Sequence, residues 1–383
     1  MFSAILISSN VGRGLVIRAA VNETNLLTVL KSPDGYPDTY DLVRLLSKNE
    51  PEIVLIDCDR QDLAAECANV VALNSSSSVV IGVSQAHGVT TVSTDRIVFE
   101  TISYPPDAKA IAESLKKAIH AVKGGILENL IAFIPAKAGC GSSTVAVNTA
   151  ASVAGQLGKR TLLLDTDLRS GVLSIMLNTV PEGWIQSALR LAADMDPLTW
   201  SACVSSAHKM DVLLSCRAPM DPLPGWELFY SLLRFVRPRY DLIVADLPEL
   251  VNPGTSEIVR RARQVFLVCT QEMLAMKMAE LRRKELLQWG VQEQRISIIV
   301  NRWHKRETSI LEIEQIIGQP IACKFPNDYM NVRSATIEGR PIAPNTALGK
   351  AFKEFANQLC GNVKGEDAAG WISDLRTLIS ISS

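Results

Sequence analysis

The chain has 383 residues, 47% of them hydrophobic and 21% charged, with 39 lysines and arginines against 40 aspartates and glutamates. That length asks for more than one hydrophobic core and favours two domains, and the near-neutral balance excludes a protein that holds nucleic acid or a membrane by bulk charge. Eight cysteines, with no Cys-x-x-Cys pair and no clustering with the four histidines, leave neither a zinc framework nor a disulfide scaffold, as expected of a reducing, cytoplasmic compartment.

The opening "MFSAILISSN" lacks the basic segment and long apolar core of a signal peptide and reads as a first strand. No run approaches the ~20 apolar residues of a membrane span. Short apolar runs then alternate with segments of helical period: "SAILIS", "EIVLID", "SVVIGV" and "RIVFE" fall among five candidate strands in residues 1–123, which close with a helix near 107–122. Such alternation predicts a parallel sheet covered by helices on both faces. Ligands bind at the carboxyl ends of strands in sheets of this kind, so Asp57, in "LIDCD", belongs at the functional edge. The stretch "KKAIHAVKGGILENL", where a helix ends at Gly124 and Gly125 before a new strand, marks the seam between domains.

The first unit resembles the receiver domains of response regulators, a flavodoxin-like fold in which an aspartate at this place accepts a phosphoryl group. It departs from them where chemistry is needed. "SSNVGRG" stands where the family has an acidic pair for magnesium, and Tyr104 stands where it has a lysine. The expectation is therefore an atypical receiver-like domain used for docking, with Asp57 and Asp59 capping the next helix.

The second unit, residues 124–361, continues the alternation with "NLIAFIPA", "RTLLLD", "MDVLLS", "YDLIVAD", "QVFLVCT" and "RISIIVN". Its first strand runs through "AKAGCGSST" into "SSTVAVNTAASVAGQLG", a strand, a glycine loop and a helix. Phosphate sites use this context because backbone N–H groups converge at a helix N-terminus, where the dipole favours an anion. Gly139 and Gly141 let the backbone approach a phosphate, and Ser143 and Thr144 offer hydroxyls. The general pattern G-x-x-x-x-G-K-[ST] fails at Ala136 and at Ser142, which replaces the lysine.

"KAGCGSS" nevertheless resembles the deviant phosphate loop of the ParA/MinD class of P-loop ATPases, which carries an extra lysine at its start, here Lys137. Four further pieces follow in that family's order. "RTLLLDTDLRSG" resembles the strand and switch that carry Asp165 and Asp167; "RYDLIVADLPE" resembles the Walker B strand ending at Asp246. "ISIIVNRW" resembles the strand ending in an Asn-Arg pair, which implies Asn301 at the adenine and Arg302 in the nucleotide site, and "IACKFPNDYMNVRSATIEGRPI" the closing segment, whose proline loop around Pro326 flanks the base. The resemblance implies ATP and Mg2+ as cofactors, with phosphates on Lys137, Ala138, Gly139, Cys140, Gly141, Ser142, Ser143 and Thr144. It implies magnesium at Ser143, Asp165 and Asp246, and catalysis by Lys137, Asp167 and Asp246, with Lys137 reaching across a homodimer.

A receiver-like domain ahead of such an ATPase with an eroded loop resembles the TadZ/CpaE branch, which localises the Tad (type IVb, Flp) pilus secretion machinery, often at a cell pole. Serine carries no charge for the transferred phosphoryl group, so the expectation is ATP-dependent dimerisation with slow hydrolysis. Two alternatives stand beside it: a DNA-partition ATPase, from the basic stretches "RRARQ", "ELRRKE" and "NRWHKRE", and a scaffold independent of nucleotide. Those arginines are expected on solvated helix faces beside glutamates. Residues 362–383, a linker and the amphipathic "AAGWISDLRTLISIS", have too few basic residues for a membrane helix and are expected to pack on protein, leaving membrane contact indirect.

Overall fold

A computed structural model describes residues 2–75, 78–84, 100–122, 125–216 and 222–361, and the chain divides into two compact units, Met1–Gly125 and Ile126–Ser383. The expected strand residues 96–99, Gly124 at the seam, residues 217–221 and the C-terminal stretch 362–383 lie outside the described residues. Among the described residues no helix is long and apolar enough to cross a membrane.

The first unit contains β1 (Phe2–Ile7), β2 (Leu27–Lys31), β3 (Ile53–Asp57), β4 (Val79–Ser84) and β5 (Glu100–Ser103). They form a parallel sheet in the order β2-β1-β3-β4-β5, one of the two common doubly wound orders, with its switch point between β1 and β3. β3 and β4 are buried along their whole length, which is why their sequences run apolar without alternation. Helix Val11–Thr24 starts at Asn10, whose side chain accepts the Arg13 N–H, and helix Thr39–Asn49 at Asp38, which accepts the Asp41 N–H. Helix Gln61–Asn74 corrects an expectation: its N-cap is Arg60, with no side-chain cap. Asp57 is the buried last residue of β3 and turns to other partners, so neither it nor Asp59 caps the helix.

The second unit contains β6 (Leu127–Pro135), β7 (Thr161–Asp165), β8 (Ser205–Ala207), β9 (Met210–Leu213), β10 (Leu242–Asp246), β11 (Ala262–Cys269), β12 (Ile296–Trp303) and β13 (Ile321–Pro326). The order is β13-β12-β11-β6-β10-β7-β9-β8, parallel throughout except where β8 pairs antiparallel with β9 at one edge. β6 lies between β10 and β11, so the glycine loop leaves the middle of the sheet. Phe133 of β6 stacks on Phe266 of β11 at 5.0 Å between ring centroids, and Phe266 meets Phe355 edge-on at 5.2 Å, which fastens helix Ala347–Gly361 to the sheet. The closing segment begins with strand β13, "IACKFP", whose last residue is Pro326. Proline is tolerated there because the strand is at the edge of the sheet.

Candidate functional site

The glycine loop joins β6 to helix Ser142–Leu157. Gly139 and Gly141 adopt φ of 83° and 84°, a left-handed conformation that residues with a Cβ rarely take. A Cβ on Gly141 would also collide with Asn301 Nδ2, which donates to the Cys140 carbonyl at 2.9 Å. Ala136 is buried and gives its N–H to Val268 at 2.9 Å; Cys140 is buried and gives its N–H to Lys137 at 3.3 Å. The loop is thus held by β11 and β12, which lie on one side of β6. The first turn beyond it leaves N–H groups without intrahelical acceptors.

Two cavities flank this turn. One, of about 730 Å3, is lined by Ala138, Gly139, Gly141, Ser142, Ser143 and Thr144 together with Asp165, Asp167 and Asp246. The other, of about 670 Å3, is lined by Asn301, Pro326, Tyr329 and Phe352 among others. Gly141, Thr144 and Arg302 border both. The sequence-expected residues therefore gather at one place, with two exceptions. Lys137 lines neither cavity and lies 3.5 Å from Glu272 in an ion pair, and the Cys140 side chain is packed into the core.

Asp165 and Asp246 are paired in register at the carboxyl ends of adjacent strands β7 and β10. Burial, and then the neighbouring Asp246, push the Asp165 carboxyl well above its ordinary value, although it accepts N–H bonds from Asp167 at 3.2 Å and Leu173 at 3.4 Å. Burial pushes Asp246 up to about 7, against the opposing effect of a bond from the Ser143 hydroxyl. Asp246 Oδ1 and Ser142 Oγ are buried without a hydrogen-bond partner. Asp167 is engaged within its own turn: it accepts from the N–H groups of Arg169 at 3.1 Å and Ser170 at 2.9 Å and from the Ser170 hydroxyl at 2.7 Å.

Two residues beyond the sequence expectations support the site. Asn148 donates to the Thr144 carbonyl at 2.8 Å and accepts the Ile342 N–H at 2.7 Å, which ties the loop helix to the segment before the last helix. Its signal was a lone amide in the small, apolar run "TVAVNTAASVA". Arg169 lines the first cavity, and nothing in its local sequence distinguishes it from a solvated arginine.

In the first unit, Asp57 is fully buried and receives Arg13 in a two-pronged ion pair, Nε to Oδ2 at 2.7 Å and Nη2 to Oδ1 at 2.7 Å. Ser9 adds its hydroxyl at 3.0 Å, and the Tyr104 ring lies under the guanidinium at 3.7 Å. Burial alone would raise the Asp57 carboxyl; the Arg13 bonds and the Ser9 N–H and hydroxyl hold it below its ordinary value. Ser9 and Arg13 come from "SSNVGRG" and Tyr104 from the segment before helix Ala108–Val122, so the carboxyl end of β3 carries a fixed cation of its own.

The basic stretches form the expected solvated faces only in part: Lys305 and Arg306 are exposed and Lys284 pairs with Glu280 at 2.8 Å, whereas other arginines turn inward. Arg260 donates to the Trp289 carbonyl at 2.8 Å, and buried Arg261 lies over the Tyr230 ring at 4.6 Å. Buried Arg282 bonds Glu285 at 2.7 Å and the Glu249 carbonyl at 2.8 Å. These guanidinium groups brace carbonyls and rings of their own domain, as their planar fork allows.

No family model matches the chain. The septum site-determining protein MinD of Synechocystis is 26% identical over 247 residues, spanning 61% of this chain and 90% of that protein. Among solved structures, a ParA family ATPase from Chlorobium tepidum superposes with a TM-score of 0.55 at 22% identity, covering 60% of this chain and 98% of that one. MinD of Pyrococcus horikoshii, complexed with Mg-ADP, superposes with a TM-score of 0.50 at 19% identity, covering 62% and 99%. Over about 60% of its length the chain is thus similar in sequence to MinD proteins and shares the fold of ParA- and MinD-type ATPases.

Proposed function

We propose that the second domain binds MgATP across the two cavities and uses it to pair two copies of the chain. The base would lie between Asn301 and Pro326, and the phosphates on the N–H groups from Ala138 to Thr144. The observation that carries this reading is the pair of buried, unpartnered polar atoms lining one cavity, Ser142 Oγ and Asp246 Oδ1. Each such atom costs on the order of 1–3 kcal/mol, so their retention together at a helix N-terminus fits a ligand that completes them.

Among the described residues no three carboxylate, thiolate or imidazole groups converge on a metal by themselves. That suits Mg2+, which is held by one or two carboxylates together with phosphate oxygens. Ser143, Asp246 and Asp165 would hold it, and the ion would supply positive charge against the phosphates and the two carboxylates. Ser142 offers a neutral hydroxyl where a lysine would bring charge to the transferred phosphoryl group, so binding persists while turnover is slow. Lys137, paired with Glu272 outside the cavities, would be drawn to the partner's nucleotide when two copies meet.

The wider role we infer is an assembly and localisation factor of a Tad pilus secretion system, with the first unit docking onto that machinery. Its support is the domain order: a five-stranded α/β unit precedes a MinD-type domain whose loop has lost its second lysine. Steady-state phosphate release and nucleotide affinity on one preparation test the core of the proposal. Tight MgATP binding is expected, with turnover at least about tenfold below that of Ser142→Lys; equal turnover in the two proteins would sink it. Light scattering should show a dimer with ATP and a monomer for Lys137→Ala, and loss of surface pili on deletion should be reversed by the native chain but not by Ser143→Ala.

A further inference from the structure

The first cavity faces a charge deficit. Its lining holds Asp165, Asp167, Asp246 and Glu249, and among the described residues the only cationic side chains lining it are Arg169 and Arg302. Lys137 is outside it and engaged with Glu272. A triphosphate bound there without the lysine that Ser142 replaces would meet mainly like charge.

Arg302 is built toward the place where compensation is needed. It follows Asn301, whose amide is fixed to the Cys140 carbonyl at 2.9 Å, and it adopts φ of 54°. That left-handed conformation costs a residue with a Cβ on the order of 1 kcal/mol and falls within β12, at the register shift between Val300 and Trp303. Its Nη2 comes to 4.0 Å from the position of a Cβ on Gly141, the residue immediately before Ser142. Among the described residues the Arg302 side chain makes no hydrogen bond or ion pair, in contrast to the engaged arginines 260, 261 and 282. It also lines both cavities. A nucleotide laid across them, with its base in one and terminal phosphate in the other, passes its sugar-proximal phosphates over their shared wall.

We propose that Arg302 replaces in cis the positive charge missing at Ser142, its guanidinium binding the diphosphate portion of the nucleotide. This rests on the reading of the two cavities as one nucleotide site and adds to it the residue that makes an eroded loop competent. A guanidinium matches phosphate oxygens two at a time and remains charged at every physiological pH. Placed at the sugar-proximal phosphates, it strengthens binding without reaching the bond that hydrolysis breaks, which fits a loop that holds nucleotide and turns it over slowly.

The test is a mutant cycle on the full chain, read by titration with Mg2+ and AMP, ADP or ATP. Arg302→Gln should weaken ADP and ATP by at least about tenfold, the size of one charge-assisted bond, and leave AMP nearly unchanged. Arg302→Lys should recover part of the loss. In a Ser142→Lys background the same Arg302→Gln change should cost less than about threefold, because the charge is then supplied from the loop. Arg302 is exposed, and matched thermal melts of all variants verify that folding is intact. An equal loss in both backgrounds, no loss in either, or a collapse of the effect onto Arg169→Gln instead would overturn the assignment of Arg302. Failure of the native chain to bind any nucleotide would reject the nucleotide site itself, a result separable from the others because it precedes every variant.

Discussion

Asp57 and Asp246 each end a buried parallel strand at the carboxyl edge of a doubly wound sheet, and they are treated in opposite ways. Asp57 has its own cation, Arg13, and sits below its ordinary pKa. Asp246 shares its surroundings with Asp165, keeps one oxygen unpartnered and is pushed up to about 7. Burying a carboxylate is costly in both cases. In the first domain the cost is offset within the fold, which fixes the region in one state; in the second it is left open, at the place where we propose that Mg2+ is held. The same topological position thus gives a structural joint in one unit and a candidate ligand site in the other.

Breaking the first joint should have the largest effect. Arg13→Ala leaves Asp57 buried and uncompensated and should destabilise the first domain by about 3 kcal/mol. Adding Asp57→Asn should recover most of that. Urea unfolding of the single and double variants measures it, and a single variant as stable as the native chain would show that Asp57 is charged without needing Arg13.

The converse holds in the second domain, on a smaller scale. Asp246→Asn removes one of two adjacent buried charges and should raise the stability of the nucleotide-free domain at pH 8 by on the order of 1–2 kcal/mol, while abolishing the dependence of nucleotide binding on Mg2+. Thermal melts with and without Mg-nucleotide read both effects. A loss of stability in the free protein would mean that Asp246 is structural, and the contrast with Asp57 would fail.

The smallest expected effect is in pH. Asp57 is held below its ordinary value in the folded state, so the unfolded chain binds the more protons in the acid range. Its contribution is complete above the unfolded carboxyl value of about 4 and is lost as pH falls through the folded value. The stability of the first domain should decline over that acid window, and the decline should be shallower in the Arg13→Ala, Asp57→Asn double variant. Identical acid profiles for the two proteins would remove the ion pair from the account.

Much of this was legible in the chain. The apolar runs marked most of the strands because parallel strands covered on both faces have no polar side to show. The glycines of the loop were legible because only glycine accepts φ near 83°. Strand β8 was not: two serines and an alanine, "SSA", pair at an edge only because β9 is already in place. Arg260, Arg261 and Arg282 looked solvated because their acceptors, the Trp289 carbonyl, the Tyr230 ring and the Glu249 carbonyl, are distant in sequence. The expected cap by Asp57 and Asp59 failed because a local reading had no means of knowing that Arg13, 44 positions away, would claim Asp57.

By itself the sequence determined the two α/β units, the loop with its lost lysine and the list of polar residues around it, since these depend on local backbone preference and the spacing of apolar residues. Tertiary structure alone decided which charges meet. It gave Arg13 to Asp57 and Glu272 to Lys137, brought Asp165 beside Asp246, and set the Arg302 guanidinium close to Gly141. Charge pairing acts over a few ångströms of space whatever the separation along the chain, so the fold must exist before it can be read.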